Sequence, residues 1–284
     1  MNEAISIYEV GPRDGLQSLE KNIPVRKRVK LVRKLKEAGL DSIEVGSLVH
    51  PSVINMKDSE KVYSRTGGDL LIMNRRGLER AKEVGAKKLN VVLSPLEDFN
   101  KKNQNTTLSE AMSNYEEMSK ETIIQRVYIS CAFHPDVSEE KVLECVRWAD
   151  KIGEFIVLCD TDSHATPESV SNLCTAALEI TPKIGVHFHL SEETERCIEE
   201  AYNSGVRVFD TSIGGLGGCV AITSANGNIS TENLVLWAHG KHIPIKQDID
   251  VKKLNQVGRY ANSLECSKLQ RASSWFQWKI GLYI

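Results

Sequence analysis

The chain has 284 residues, a length that fits one large domain or two ordinary ones. Its formal net charge is −2 and no long run of one sign occurs, which argues against nucleic acid or an anionic membrane as the main partner. The seven cysteines show no C-x-x-C spacing, the N-terminus is unlike a signal or transit peptide, and no apolar stretch is long enough to span a bilayer, so we expect a reduced, cytoplasmic location.

Strand-like segments alternate with amphipathic, helix-like segments along the whole chain. The pairs, in chain order, are ISIYEV with VRKRVKLVRKLKEAG, SIEVGS with KDSEKVYSRTG, LLIMN with GLERAKEVG, KLNVVLS with LSEAMSNYEEMSKETI, RVYISCAF with SEEKVLECVRWADKIG, FIVLCDT with TPESVSNLCTAALEI, KIGVHFH with EETERCIEEAYNSG, and VRVFDTS with STENLVLWAHG. A further helix-like segment, VKKLNQVGRYANSLE, follows the last pair. The count of strand–helix units is therefore eight.

Eight strand–helix units predict an α/β protein with a (β/α)8 TIM barrel. We expect one catalytic domain over residues 1–284, with the barrel at about 4–240 and a helical extension at about 250–284. An open, doubly wound sheet is the alternative, and the absence of G-x-G-x-x-G after the first strand disfavours it. Four aromatic residues, Trp275, Phe276, Trp278 and Tyr283, lie in the last ten residues of the sequence, and we expect them to pack on the barrel or on a partner subunit.

Active residues of such barrels lie at the carboxyl ends of the strands and in the loops that follow. Polar residues occupy those positions in all eight units, and we expect them to converge on one rim. They are Glu9, Arg13, Asp14, Gln17, Glu44, Asn74, Ser94, Ser130, Asp160, Thr161, His187, His189, Asp210 and Thr211.

His187 and His189 are two residues apart on a predicted strand, so both imidazoles point to the same face. Across the rim, Arg13 and Asp14 lie in GPRDGLQ, where we expect Gly11 and Gly15 to let the backbone approach a ligand. A carboxylate with two imidazoles suits Mg²⁺, Mn²⁺ or another octahedral ion better than structural zinc. An arginine beside it can stabilise developing oxyanion charge.

The segment GGLGGC follows the eighth strand and ends at Cys219. Its four glycines indicate either a simple loop hinge or a lid whose thiol acts as acid or base once closed over a substrate. Further along, Asn228 lies between this loop and the next helix, where its carbonyl oxygen can ligate a metal or simply form part of a turn.

Together these motifs resemble the 3-hydroxy-3-methylglutaryl-CoA lyase family of metal-dependent lyases and Claisen condensing enzymes. The resemblance covers roughly residues 5–260, and GPRDGLQ and GGLGGC are its most specific parts. The matching segments are EVGPRDGLQ, IEVGSLVHP, NMKD, the KKN of residues 101–103, DT-x3-ATP, H-x-H and GGLGGC-x8-NISTEN.

Carried over to the matching positions, the resemblance implies that Mg²⁺ or Mn²⁺ is bound by four residues: Asp14, His187, His189 and Asn228. It implies catalytic positions at Arg13, which stabilises the enolate, at Cys219, the lid thiol, and at His187, Asp160 and Glu44. It implies substrate-binding positions at Arg13, Gln17, Asn103 and Arg126.

The resemblance also implies the reaction: cleavage of an acyl-CoA, 3-hydroxy-3-methylglutaryl-CoA, to acetyl-CoA and acetoacetate by a homodimer. The chain departs from the family after the fifth strand and after H-x-H, where LSEE follows. These departures favour an alternative, a related condensing enzyme or aldolase that acts on another acyl-CoA or oxo acid. A non-catalytic barrel that binds an acyl-CoA or a protein is the third interpretation, and the convergence of so many reactive side chains speaks against it.

Overall fold

The computed structural model describes residues 2–217 and 227–265. Eight parallel strands follow one another around a single sheet, in the order β1-β8-β7-β6-β5-β4-β3-β2. They are β1 (Ser6–Glu9), β2 (Glu44–Ser47), β3 (Asp69–Leu71), β4 (Lys88–Leu93), β5 (Ile123–Ile129), β6 (Gly153–Asp160), β7 (Ile184–Phe188) and β8 (Val208–Thr211).

The sheet closes on itself between its first and second strands. A parallel bridge joins Glu9 to Ile43, and the Glu9 amide donates to the Ser42 carbonyl at 2.9 Å. Closure removes the two open edges that a flat sheet would expose. The (β/α)8 barrel predicted from the alternation of segments is therefore confirmed.

Helices connect the strands along the described chain and cover the outside of the barrel. They are α1 (Val25–Glu37), α2 (Ser59–Thr66), α3 (Arg75–Glu83), α4 (Glu97–Gln104), α5 (Leu108–Ser119), α6 (Glu139–Ile152), α7 (Pro167–Ile180), α8 (Thr194–Ser204), α9 (Thr231–Gly240) and α10 (Val251–Glu265). All but one match a helical segment predicted from the sequence. The exception is α4, a short polar helix between β4 and α5.

Local sequence explains where several helices begin. Ser138 caps α6 by accepting from the Lys141 amide, as predicted. Thr166 caps α7, and Pro167 takes the first helical position, where a missing N–H costs nothing. Among the described residues, no helix is both long enough and apolar enough to cross a membrane.

The barrel interior contains a layer of charged and polar side chains between apolar ones. Arg126 from β5 pairs with Asp210 from β8, and Asn90 from β4 donates to Glu44 from β2 at 2.6 Å. All four residues are buried. Buried charges are costly unless they are paired, and Arg126 and Asp210 form such a pair across the barrel axis.

Candidate active site

A cavity opens at the carboxyl ends of the strands, the end at which the sequence placed the active residues. Leu71, Met73, Val92 and Phe99 form an apolar wall on the side of β3, β4 and α4. The polar residues that line it are Arg13, Asp14, Gln17, Asn103, Tyr128, Ser130, Thr161, His187 and His189.

A tight turn after β1 presents Arg13 and Asp14 to this cavity. In the π-helical turn Gly11–Gly15, the amides of residues 13, 14 and 15 all donate to the Val10 carbonyl. This geometry bends the chain sharply over the end of β1. Arg13 and Asp14 thereby leave the turn side by side, with Arg13 Nη1 2.6 Å from Asp14 Oδ1.

A second carboxylate fixes the Arg13 guanidinium from below. Its Nε donates to Glu44, a side chain that is fully buried and does not line the cavity. The guanidinium also lies 5.6 Å from the centroid of the Tyr128 ring. Burial alone would lower the pKa of Arg13, but Glu44 and Asp14 hold it above its usual value. The positive charge is therefore permanent and is held in one place.

Asp14, His187 and His189 form a set of metal-ligand atoms. One donor atom of each residue lies within 4.8 Å of a donor atom of the others. His189 Nδ1 is 2.9 Å from the Thr161 carbonyl, an acceptor, so Nδ1 carries a proton. In the neutral ring, Nε2 then has a lone pair with which it can bind a metal. This Nε2 is buried and forms no hydrogen bond among the described residues.

Asn228, which precedes α9 and forms a bridge with His189, completes the set. Its Nδ2 donates to Asp14 Oδ2 at 2.8 Å and to the Leu216 carbonyl at 3.0 Å. Its Oδ1 is buried and has no hydrogen-bond partner among the described residues. Buried polar atoms without a partner are rare, and here an imidazole nitrogen and an amide oxygen share one cluster with a carboxylate. The residues present therefore fit a divalent cation.

His187 is backed by the charged layer of the barrel interior. Its Nδ1 lies 3.5 Å from Asp210 Oδ2, and Asp210 is paired with Arg126. The rings of His187 and His189 meet edge to face, with centroids 5.2 Å apart. The Asp210 carboxylate therefore lies behind the His187 ring, on the side away from the cavity.

The carboxyl group of Asp14 is held in its ionised form. Burial by itself would raise its pKa, but the Arg13 charge and the two imidazoles keep the pKa of Asp14 well below its usual value. Asp14 therefore carries a negative charge throughout the physiological pH range, as a metal ligand must.

Gln17 and Asn103 lie on the wall of the same cavity. Gln17 follows the turn that carries Arg13, and its Oε1 is buried without a hydrogen-bond partner among the described residues. Asn103 reaches the cavity from α4, the helix that the sequence did not predict. Both side chains are placed where they can contact a bound substrate.

Three residues expected at the site lie behind it. Glu44 touches Arg13 from below, as described above. Asp160 accepts hydrogen bonds from the amides of His164 and Ala165, at 2.8 and 3.0 Å, and so shapes the loop after β6. Arg126 lines a second cavity at the opposite end of the barrel. Its guanidinium lies over the Tyr8 ring and pairs with Asp210.

Two local expectations were wrong. Gly11 and Gly15 do not open space for a ligand: a Cβ on Gly15 would lie 2.7 Å from Ser212 Oγ and 2.9 Å from Leu216 Cβ. These glycines instead let the loop after β1 pack against the loop after β8. Asn74 does not face the rim, because its side chain accepts from the Gly77 amide and caps α3. Cys219 lies outside the described residues.

Sequence analysis missed Tyr128, whose ring lies between Arg13 and Arg126 at 5.6 Å from each guanidinium carbon. The signal was present, because residues 126, 128 and 130 alternate on one face of β5. Arg126 and Ser130 were identified from the sequence, and the two-residue period of a strand would have included Tyr128 between them.

Comparisons with known proteins agree with this geometry. The model of the HMGL-like family matches residues 4–260. The mitochondrial hydroxymethylglutaryl-CoA lyase of Rattus norvegicus is 32% identical over 289 residues, covering 95% of this chain and 87% of the rat protein.

Solved structures are similarly close. Hydroxymethylglutaryl-CoA lyase from Pseudomonas aeruginosa is 29% identical and superimposes with a TM-score of 0.88, covering 98% of this chain and 99% of that one. An HMG-CoA lyase from Acinetobacter baumannii, solved with coenzyme A and 3-methylmalate, is 31% identical with a TM-score of 0.86 and covers 95% of both chains. The barrel, the Arg–Asp turn and the pair of histidines therefore place this chain in the HMGL-like family.

Proposed function

We propose that this protein is a carbon–carbon lyase that cleaves 3-hydroxy-3-methylglutaryl-CoA to acetyl-CoA and acetoacetate. The observation that carries the proposal is the meeting of Arg13, Asp14, His187 and His189 in one cavity. Within the described part of the chain, His189 Nε2 and the neighbouring Asn228 Oδ1 have no hydrogen-bond partner. Relatives that are 30–32% identical over nearly the whole chain carry the name of this activity. The activity and the site chemistry thus agree.

The reaction moves one proton and breaks one bond. A base removes the proton of the tertiary hydroxyl, the adjacent C–C bond breaks, and its electron pair passes to the thioester carbonyl to form an enolate. Protonation of the enolate carbon yields acetyl-CoA, and the former carbinol becomes the ketone of acetoacetate. Negative charge therefore grows on the thioester oxygen during the step.

Arg13 is placed to stabilise that charge. Its guanidinium lines the cavity and is held by two carboxylates before any substrate arrives. An interaction that strengthens as charge develops accelerates the step, whereas one equally strong with the bound substrate does not. Glu44 holds the orientation, which removes the cost of ordering the side chain at the moment of reaction.

We further propose Mg²⁺ or Mn²⁺ as the ion held by Asp14, His187, His189 and Asn228, since two oxygens and two nitrogens suit an octahedral ion. When bound, such a cation acidifies the substrate hydroxyl and fixes its orientation. Asp14 supplies the anionic ligand, and the Thr161 carbonyl keeps Nε2 of His189 available.

The other parts of the proposal concern the loop after β8 and the assembly. We propose that Cys219 is the thiol of a lid that closes over the acyl-CoA and transfers a proton there. Gly214 and Gly217, which have φ values of 67° and 110°, give the described part of this loop conformations that other residues rarely adopt.

We also propose one catalytic domain, a homodimeric assembly and a cytoplasmic location.

A condensing enzyme or aldolase is the second candidate, because the loops after β5 and β7 depart from the family. The substantial identity to named lyases, over nearly the entire chain, favours cleavage. Incubation with labelled acetyl-CoA and a panel of oxo acids separates the two, since only a condensing enzyme incorporates the label into a larger acid.

The direct test is acetoacetate release from 3-hydroxy-3-methylglutaryl-CoA with Mg²⁺ or Mn²⁺ and again with excess EDTA. We expect turnover that requires the metal and disappears in His187→Ala, while His239→Ala, an exposed histidine on α9, retains it. Metal binding without turnover would move the search to other hydroxyacyl or oxo-acid substrates. Turnover unaffected by EDTA and by His187→Ala would refute the metal site.

A further inference from the structure

A second cluster of potential metal ligands lies on the loops after β5 and β6, apart from the residues assigned above. His164 Nδ1 is 2.8 Å from Asp162 Oδ2, and His134 Nε2 is 3.5 Å from the same oxygen. The two imidazole rings meet edge to face with centroids 5.4 Å apart. One donor atom from each of the three residues lies within 4.8 Å of the others.

Asp162 is the unusual member of this cluster. Its side chain is only 5% exposed, and its Oδ1 is buried with no hydrogen-bond partner among the described residues. Within residues 2–217 and 227–265, its ion-pair partners are the two histidines and no lysine or arginine. A buried carboxylate requires a compensating positive charge, which a bound cation would supply.

We propose that His134, Asp162 and His164 form a second metal site, which takes a divalent first-row transition ion such as zinc. Two imidazoles and one carboxylate are a donor set that zinc uses with a fourth position left open to water or to another ligand. The ion supplies the positive charge that Asp162 lacks.

The loops allow the small movements that coordination requires. His164 is half-exposed, at 49%, so its ring can shift toward the ion without disturbing the core. Ser163, between the two loop ligands, has a left-handed backbone with φ of 62°. A non-glycine residue in this region is uncommon and often marks a functional constraint.

Coordination also has a proton requirement at His134. Without the ion, Nδ1 of this ring accepts from the Asp136 amide at 3.1 Å, which places the proton on Nε2. Ligation through Nε2 moves the proton to Nδ1, which then no longer accepts from the Asp136 amide.

The second site is connected to the first through one residue. Thr161 directly precedes Asp162, and its carbonyl is the group that orients His189. Its Oγ1 also accepts from the Cys131 amide, which joins the two loops. An ion held by His134, Asp162 and His164 therefore braces the segment that fixes a ligand of the catalytic cation.

The test is the zinc stoichiometry of the whole chain, measured by calorimetric titration and elemental analysis after removal of metals with a chelator. Wild type is compared with the double variant His134→Ala/His164→Ala, with Asp162→Asn and with the double variant His187→Ala/His189→Ala. His239→Ala is the control for a surface histidine, and circular dichroism of each metal-free variant verifies folding. We expect two ions in wild type and in the control, and one in each double variant.

Asp162→Asn keeps the shape of the side chain and removes its charge. We expect it to weaken the second binding event by roughly 100-fold or more, since even a residue outside the ligand shell contributes 10- to 100-fold. Two ions in His134→Ala/His164→Ala, or a wild type that binds a single ion which this variant retains, would overturn the second site. If wild type binds a single ion and only His134→Ala/His164→Ala loses it, the second site is supported and the catalytic metal site is refuted instead.

Discussion

Arg13 lines the active-site cavity, and Glu44, to which its Nε donates, lies wholly beneath it. Glu44 accepts a further hydrogen bond from Asn90 Nδ2 at 2.6 Å, so its carboxylate is fixed by two strands. The two residues have different roles. Arg13 faces the cavity, and Glu44 fixes the orientation of its guanidinium group.

Replacement of Glu44 by Gln is expected to lower kcat for acetoacetate release on the order of 100-fold with little change in KM, because a misplacement of about 1 Å can have that effect. Glu60→Gln breaks an arginine–glutamate pair with Arg80, 2.6 Å long and remote from the cavity, and should leave kinetics unchanged. Equal kinetics for Glu44→Gln and wild type would show that Arg13 is oriented by other groups.

Asn228→Ala removes the amide oxygen that has no hydrogen-bond partner among the described residues. We expect Mn²⁺ affinity, measured by titration calorimetry, to fall by about 10- to 100-fold. Asn228→Asp keeps an oxygen at the same position and adds a negative charge, so it should retain affinity. If Asn228→Ala binds Mn²⁺ as wild type does, Asn228 serves only to hold Asp14.

The buried pair of Arg126 and Asp210 makes a prediction about stability. Arg126→Met leaves Asp210 buried without its partner, and we expect a loss of about 3–5 kcal/mol in the free energy of unfolding by urea. Adding Asp210→Asn to this variant should recover part of the loss, since no unpaired charge remains. If Arg126 instead binds substrate directly, Arg126→Met will lower activity while the unfolding free energy stays near that of wild type.

Glu9 makes a prediction about pH. Desolvation by burial raises its pKa to about 7, although Thr231 and the amides of Gly11 and Ile213 donate to it. The folded state therefore binds this proton more tightly than the unfolded chain does. The stability it contributes is fully present below about pH 4.5 and is lost as pH rises through about 7, with a maximum near 3 kcal/mol.

Glu9→Gln keeps an acceptor for both amides and cannot ionise. We expect its urea unfolding free energy to exceed that of wild type at pH 8.5 and to approach it near pH 5. Glu83→Gln, at an exposed position on α3, is the matched control. A difference between Glu9→Gln and wild type that stays constant across this range would show that Glu9 does not titrate there.

The sequence was sufficient for the barrel because each unit carries its own signal. Apolar periodicity marks the strands and helices, and residues such as Ser138 and Thr166 mark helix starts. The carboxyl ends of parallel strands share one face, so the position of His187 and His189 relative to Asp14 followed from topology. Local pattern and fold agree in these cases, which is why the prediction succeeded.

What the sequence did not reveal depends on contacts between distant segments. The charged partners Arg126 and Asp210 are 84 residues apart, and nothing local to either indicates the other. The roles of Gly15 and Asn74 were misread for related reasons: the packing of Gly15 against Ser212 is a tertiary contact, and the cap formed by Asn74 depends on where α3 begins. Helix α4 is short and polar, so it lacks the apolar periodicity on which prediction relies.

The hydrogen bond between Asn228 and Asp14 spans 214 residues of the chain. Glu9 and Thr231 are likewise joined across 222 residues, on the side of the barrel where β1 pairs with β8. Contacts of such long sequence separation form late, because most of the loop-closure entropy must be lost before they contribute. During synthesis, Arg13 and Asp14 are translated before nearly all of the barrel. We therefore expect Asp14 and Asn228 to be brought together only once most of the barrel has formed, which would tie metal binding to a completed barrel.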